Sequence, residues 1–224
     1  MRVGLFLAIM MSACARRGLV RNPYKGMGSE AYPRAEKQAW DNYGIAGGRL
    51  RGEKIAVCAA GFLGQSSLLV DGERYRYDCS GFVMAAHMSA NVKLSGSSSH
   101  LYEMAQSAHV IHRKTRPYLG DVVFFDNTFD RNKNGRRDDL ITHVAVVTAV
   151  DANGTIEMVH LGGSGIKKLY MNLRSPDVHK NKDGVLLNSF LRVRTKNDDG
   201  PRLSGQLWKA FGSLWAVPSS ELES

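Results

Sequence analysis

An α+β fold, with helices from the first half packed on an antiparallel sheet built by the second, is what this sequence predicts. Two observations carry the prediction. Between about residues 49 and 108 apolar side chains recur three and four apart. From residue 121 to 194 they come instead in short runs rich in β-branched residues, parted by turn formers such as Asp151-Ala152-Asn153-Gly154. Helices followed by strands, rather than alternating with them, argue for α+β over a parallel α/β sheet. At 224 residues the chain suffices for one ordinary domain plus short extensions, and nothing repeats internally.

Arg2 precedes the apolar stretch of residues 3–11, and Ser12-Ala13-Cys14 supplies small residues and a cysteine where cleavage would fall. Residues 1–14 therefore read as a lipoprotein-type signal with Cys14 as the lipidation site, an ordinary secretory signal being the alternative. The apolar run is well short of the roughly 20 residues a spanning helix needs. Ala15 stands where lipoprotein signals of inner-membrane proteins commonly carry an aspartate, which favours an outer-membrane or periplasm-facing address. Residues 15–48, rich in Arg, Gly, Pro and Tyr, read as a tether to a domain over 49–195, with a single helical turn near 34–40.

Residues 49–62 carry Ile55, Ala56, Ala59 and Ala60 on one helical side. A loop over 64–77 leads to a second helix that Cys79 opens and that runs to about Asn91. Ser97 to Ser99 cap a third, with Leu101, Met104, Ala105 and Ala108 at helical spacing. Strands are expected at 121–126, 142–150, 155–160 and 185–194. In the tail, residues 196–224, the spacing of Leu203, Leu207, Trp208, Phe211, Leu214 and Trp215 predicts one amphipathic helix docked on the domain.

Cys79 is the residue with chemistry to offer. A thiol at the start of a helix sits among unpaired backbone N–H groups, which lower its pKa and can hold an oxyanion. Cys58 lies in an apolar run and reads as core, and three cysteines do not make a disulfide framework. His143 opens the apolar run Val144-Ala145-Val146-Val147, where a polar ring is costly unless it faces a cleft, so it is the candidate base. His160 ends the next strand, and Glu157 is another polar residue on it. Glu157, three residues away, falls on the opposite strand face. No close ligand pair accompanies these residues, so metal chemistry is not expected at this cleft and no cofactor is required.

Asp78-Cys79-Ser80-Gly81-Phe82-Val83, then Leu119-Gly120-Asp121-Val122-Val123-Phe124-Phe125, then His143-Val144-Ala145-Val146-Val147 resemble the NlpC family of cell-wall cysteine peptidases and the related CHAP amidohydrolases. The resemblance spans roughly residues 50–195. It implies a papain-like core and a thiol mechanism by Cys79, His143 and His160. It implies further that Tyr75 or Tyr77 serves the oxyanion or substrate, that Asp78 braces the turn and that Ser80 meets the substrate's amine. The implied activity is a D,L-endopeptidase on the peptidoglycan stem peptide. N-acetylmuramoyl-L-alanine amidase and a non-catalytic wall-binding lipoprotein are the alternatives.

The formal charge of +9 and pI near 9.6 fit such a partner, because walls and membranes are anionic. No basic run is interleaved with aromatics, which argues against nucleic acid. One further motif stands apart. Residues 130–139 place Asp130, Asn132 and Asn134 at alternate positions before Gly135, as in the first half of a calcium loop, with Asp138 or Asp139 to complete it. Ile141 stands where a bidentate glutamate is needed and four basic residues intervene. A weak structural calcium site and a polar hairpin loop both fit.

Overall fold

The computed structural model describes residues 45–193 and 199–217, so the signal, Cys14 and most of the tether lie outside the described residues. Helix α1 (Ile45–Gly61) buries Ile55, Cys58 and Ala59, and Phe62 just beyond it. Cys58 is core as expected, and Cys79 is a free thiol among the described residues. Where a loop was expected, β1 (Leu68–Val70) and β2 (Glu73–Tyr75) form a hairpin. Its turn is Asp71-Gly72, both at positive φ, the pairing that two-residue hairpins favour.

Asp78 caps helix α2 (Cys79–Met88), which stops short of Asn91, a residue in the left-handed region. Ser97 caps helix α3 (Ser98–Ser107). Six antiparallel strands follow: β3 (Ile111–His112), β4 (Val122–Phe125), β5 (His143–Val150), β6 (Thr155–Gly162), β7 (Gly165–Asn172) and, after the short helix α4 (Ser204–Leu207), β8 (Trp208–Gly212). Their order in the sheet is β3-β8-β4-β5-β6-β7. The molecule is thus mixed helix and antiparallel sheet.

Strand alternation sorts the core. Val122, Phe124, Val144, Val146, Val159 and Leu161 turn to the helices, against Phe62, Phe82, Val83 and Trp215. Val123, Phe125, Ala145, Val147, Met158 and Phe211 turn the other way, against Leu207 and Leu191. Burying each of these large side chains stabilises the fold by about 2 kcal/mol.

The tail corrects the expectation of one amphipathic helix. Residues from Trp208 to Gly212 instead insert between β3 and β4. A strand buried on both sides has no polar face to betray its period, so apolar residues that fall by chance at helical spacing mislead. Gly212 is required there, because a Cβ would come within 2.9 Å of the Phe124 ring and 3.1 Å of Ala105. Of the strand expected at 185–194, the described residues 185–193 form only isolated bridges at Leu186 and Phe190. Buried Asn188 pins that stretch as a loop, donating to the carbonyls of Ser175 and Val178 and accepting from the Asn172 N–H.

Candidate active site

The turn that delivers the cysteine is built by its neighbours. Asp78 Oδ1 accepts the Gly81 N–H at 2.7 Å and the Ser80 hydroxyl at 2.9 Å. Arg76 donates from Nη2 to Ser80 Oγ (3.2 Å) and to the Gly96 carbonyl (2.8 Å). The Arg76 carbonyl passes so close to the first turn of α2 that a Cβ at Gly81 would collide with it, which is why a glycine follows Cys79-Ser80. Asp78 therefore braces the turn. Ser80, expected to meet the substrate's amine, is buried, its hydroxyl donating to Asp78 and accepting from Arg76.

Cys79 is half-buried and packs at the edge of the helical core. The backbone N–H groups of Val144, Ser80 and Cys79 itself are directed at its sulfur. These favour the thiolate, yet burial first and the Asp78 carboxylate second push the thiol up. The expectation of a lowered pKa is overturned for a physical reason: helix N-termini lower a thiol pKa when water also reaches the sulfur, and here much of that water is excluded. The resting group is the thiol.

His143 is the first residue of β5 and is buried beside Phe125, its cross-strand partner, at 6.3 Å between ring centres. Its Nε2 lies 2.8 Å from Nδ1 of His160, the two rings standing at 87°. Burial pushes His143 down to about 3, helped by His160, and pushes His160 down to about 4, helped by Lys167. Both imidazoles are neutral at physiological pH. Because Nε2 is taken, Nδ1 is the nitrogen of His143 left to exchange a proton. For Nδ1 to accept one, Nε2 must carry the hydrogen and donate it to His160 Nδ1, which puts the His160 hydrogen on Nε2.

The sulfur lies against the first peptide of β5, the one that follows the candidate base. The Val144 amide that faces the sulfur directly follows His143, while the Val144 side chain turns to the helices and that of His143 to the opposite face with Phe125. Among the described residues no hydrogen bond joins the thiol to either imidazole. Glu157 is held elsewhere, accepting from Thr148 (3.3 Å), Lys168 (2.9 Å) and Tyr170 (3.3 Å).

The two tyrosines part company. Tyr75 donates to Glu73 and lines a cavity of about 370 Å³ with Met84, Met88, Val92 and Leu94, where burial and then Glu73 push its phenol up to about 12. Tyr77 donates to the Gln65 carbonyl at 2.8 Å and lies beside Gly165, the partner of Gly162 at the end of the strand that holds His160. Tyr77 is therefore the one at the imidazole side. Neither the Val144 amide nor Arg76 is legible in the sequence, because a backbone donor and an isolated arginine leave no pattern there.

The loop of residues 130–139 is closed by its own hydrogen bonds. Asp130 accepts the N–H groups of Asn134 and Gly135, Asn134 Oδ1 accepts that of Arg136, and the Asn132 and Asn134 amides donate to Asp138. Asp139 is buried at the base, where it accepts the Arg131 N–H and its backbone pairs with Asn127. Among the described residues no three His, Cys, Asp or Glu side chains gather as a metal site requires, and no helix is long and apolar enough to cross a membrane.

Comparison with curated proteins and with solved structures returned no match. A family model does match: residues 70–161, from the end of β1 through Cys79 and His143 to the strand that carries His160, are similar to the CHAP domain.

Proposed function

We propose that this protein is a peptidoglycan hydrolase that cleaves an amide of the stem peptide through Cys79, with His143 as base and His160 holding it in the working tautomer. The CHAP match supports the substrate class, since such domains are usually hydrolases of peptidoglycan. One observation carries the assignment of roles: a free thiol at a helix N-terminus lies against the first peptide of a strand whose leading histidine is hydrogen-bonded by a second. In this reading His143 Nδ1 takes the Cys79 proton as sulfur attacks the carbonyl carbon. The N–H groups around the sulfur hold the oxyanion. His143 then returns the proton to the departing amine. Water, deprotonated by the same nitrogen, resolves the thioester to a carboxylate and the free thiol. No cofactor enters these steps.

Within that class we read the enzyme as a D,L-endopeptidase of NlpC type on a papain-like core, held in the envelope by a lipid at Cys14. The amidase reading uses the same residues. Purified sacculi digested with wild type and Cys79→Ser, followed by mass analysis, test both. An endopeptidase leaves the first stem residues on the muramic acid, an amidase frees the whole stem, and equal release by both proteins refutes the thiol mechanism. Labelling with palmitate, lost in Cys14→Ala, tests the anchor.

A further inference from the structure

We infer that Arg76 is a specificity residue that selects a substrate carrying a free carboxylate beside the scissile amide. The inference rests on the hydrolase reading above and names what that site prefers. Residues 76 and 77 lie in the bend between β2 and the nucleophile, and their side chains diverge. Tyr77 reaches the Gln65 carbonyl and the Gly165 turn on the His160 side. Arg76 goes the other way, to the Gly96 carbonyl and to Ser80 in the first turn of α2. The two side chains thus flank the turn that delivers Cys79.

The guanidinium is anchored without being consumed. Nη2 makes both hydrogen bonds, Nε stands 3.6 Å from Asp78 Oδ2, and the side chain remains 60% exposed. The backbone is fixed as well, its carbonyl being wedged against Gly81. An arginine held through Nη2 and Nε, with Nη1 open beside a nucleophile, offers the Nη1 hydrogens and the charge to a carboxylate. Lys167, across the strand pair from His160, adds a second cation on the far side, so an extended peptide crossing Cys79 passes between two positive groups. An anionic peptide suits that approach, and a carboxamide at the same place loses the charge while keeping the shape.

The test uses two synthetic stem peptides identical except that the carboxylate next to the cleaved amide is free in one and a primary carboxamide in the other. Wild type should cleave the free acid with a kcat/KM about tenfold to a hundredfold higher, mostly through KM. Arg76→Gln should cleave the two at equal rates, and Arg76→Lys should recover part of the preference. An unchanged ratio in Arg76→Gln, or an equal fall on both peptides, overturns the inference and leaves Arg76 a brace for the turn. Cleavage of neither peptide by wild type overturns the hydrolase reading and this inference together.

Discussion

Two buried polar sites in this molecule face opposite demands. Asp121, at the entrance to β4, is fully buried and accepts four hydrogen bonds, from His112 Nε2 (2.9 Å), the Tyr118 N–H (2.8 Å), Ser213 Oγ (2.7 Å) and Trp215 Nε1 (2.8 Å). Every lone-pair position is used, and the residue ties β3, the turn before β4 and the segment after β8 together. The His143–His160 pair shares a single hydrogen bond and leaves Nδ1 of His143 uncommitted. A polar group whose capacity is exhausted can only hold the fold, whereas one with capacity to spare is costly to keep and available for proton transfer.

The contrast breaks most sharply by removing one member of each site. His143→Ala should lower kcat/KM on a soluble muropeptide by about 10³-fold to 10⁴-fold, with the circular dichroism spectrum of the fold kept. Retention of more than a tenth of the activity would move the base elsewhere. Asp121→Ala should do the reverse. With four donors orphaned in the core it should lose about 3–5 kcal/mol in urea unfolding, while the molecules that remain folded turn over substrate at nearly the wild-type rate. A loss under about 1 kcal/mol would show that the four bonds are dispensable.

Acid sharpens the same comparison. His87 is fully buried on α2, its Nδ1–H donating to the Val83 carbonyl, and burial pushes it down to about 4. In the unfolded chain it titrates near 6.5. Between those values the unfolded state binds the extra proton, so stability present above about pH 6.5 is lost as pH falls toward 4. His87 alone accounts for about 3 kcal/mol of that loss. His143, protonating only near 3, should not limit catalysis before the fold gives way. The acid limb of kcat/KM should therefore coincide with unfolding followed by fluorescence. A limb near 6.5 in a protein that is still folded would mean that His143 is far more solvated than its surroundings indicate. His160→Ala is a smaller perturbation, about tenfold to a hundredfold in kcat/KM, because it frees the His143 ring to turn without removing it.

How much of this could be read beforehand varied with how local the cause was. Helix α2 was legible because Asp78 caps it and Gly81 admits the Arg76 carbonyl, both within three residues of Cys79. His143 stood out as a polar ring at the head of an apolar run. Strand β7 was hidden because Lys167 and Lys168 interrupt its apolar residues, and β8 because both of its sides are buried. The direction of the Cys79 shift is not legible in the sequence for a related reason. The N–H groups that lower a thiol pKa can be inferred from a cap, but the burial that outweighs them comes from the packing of the folded chain around the sulfur.

The loop before β5 extends the comparison to the surface, where satisfied polar groups cost least. Its carboxylates and amides already accept or donate within the loop, Asp130 serving the N–H groups of both Asn134 and Gly135. If that network is the working state, Asp130→Ala should cost about 1 kcal/mol with chelator or with millimolar calcium alike, since exposed donors are recovered by water. If instead the same oxygens turn inward on a cation, calcium should raise the wild-type melting temperature and leave the variant unmoved. The loop leads directly through Ile141, whose carbonyl accepts the Ser98 hydroxyl, to His143. A calcium-dependent change in kcat without a change in melting temperature would therefore reveal a loop that positions the base rather than one that only closes on itself.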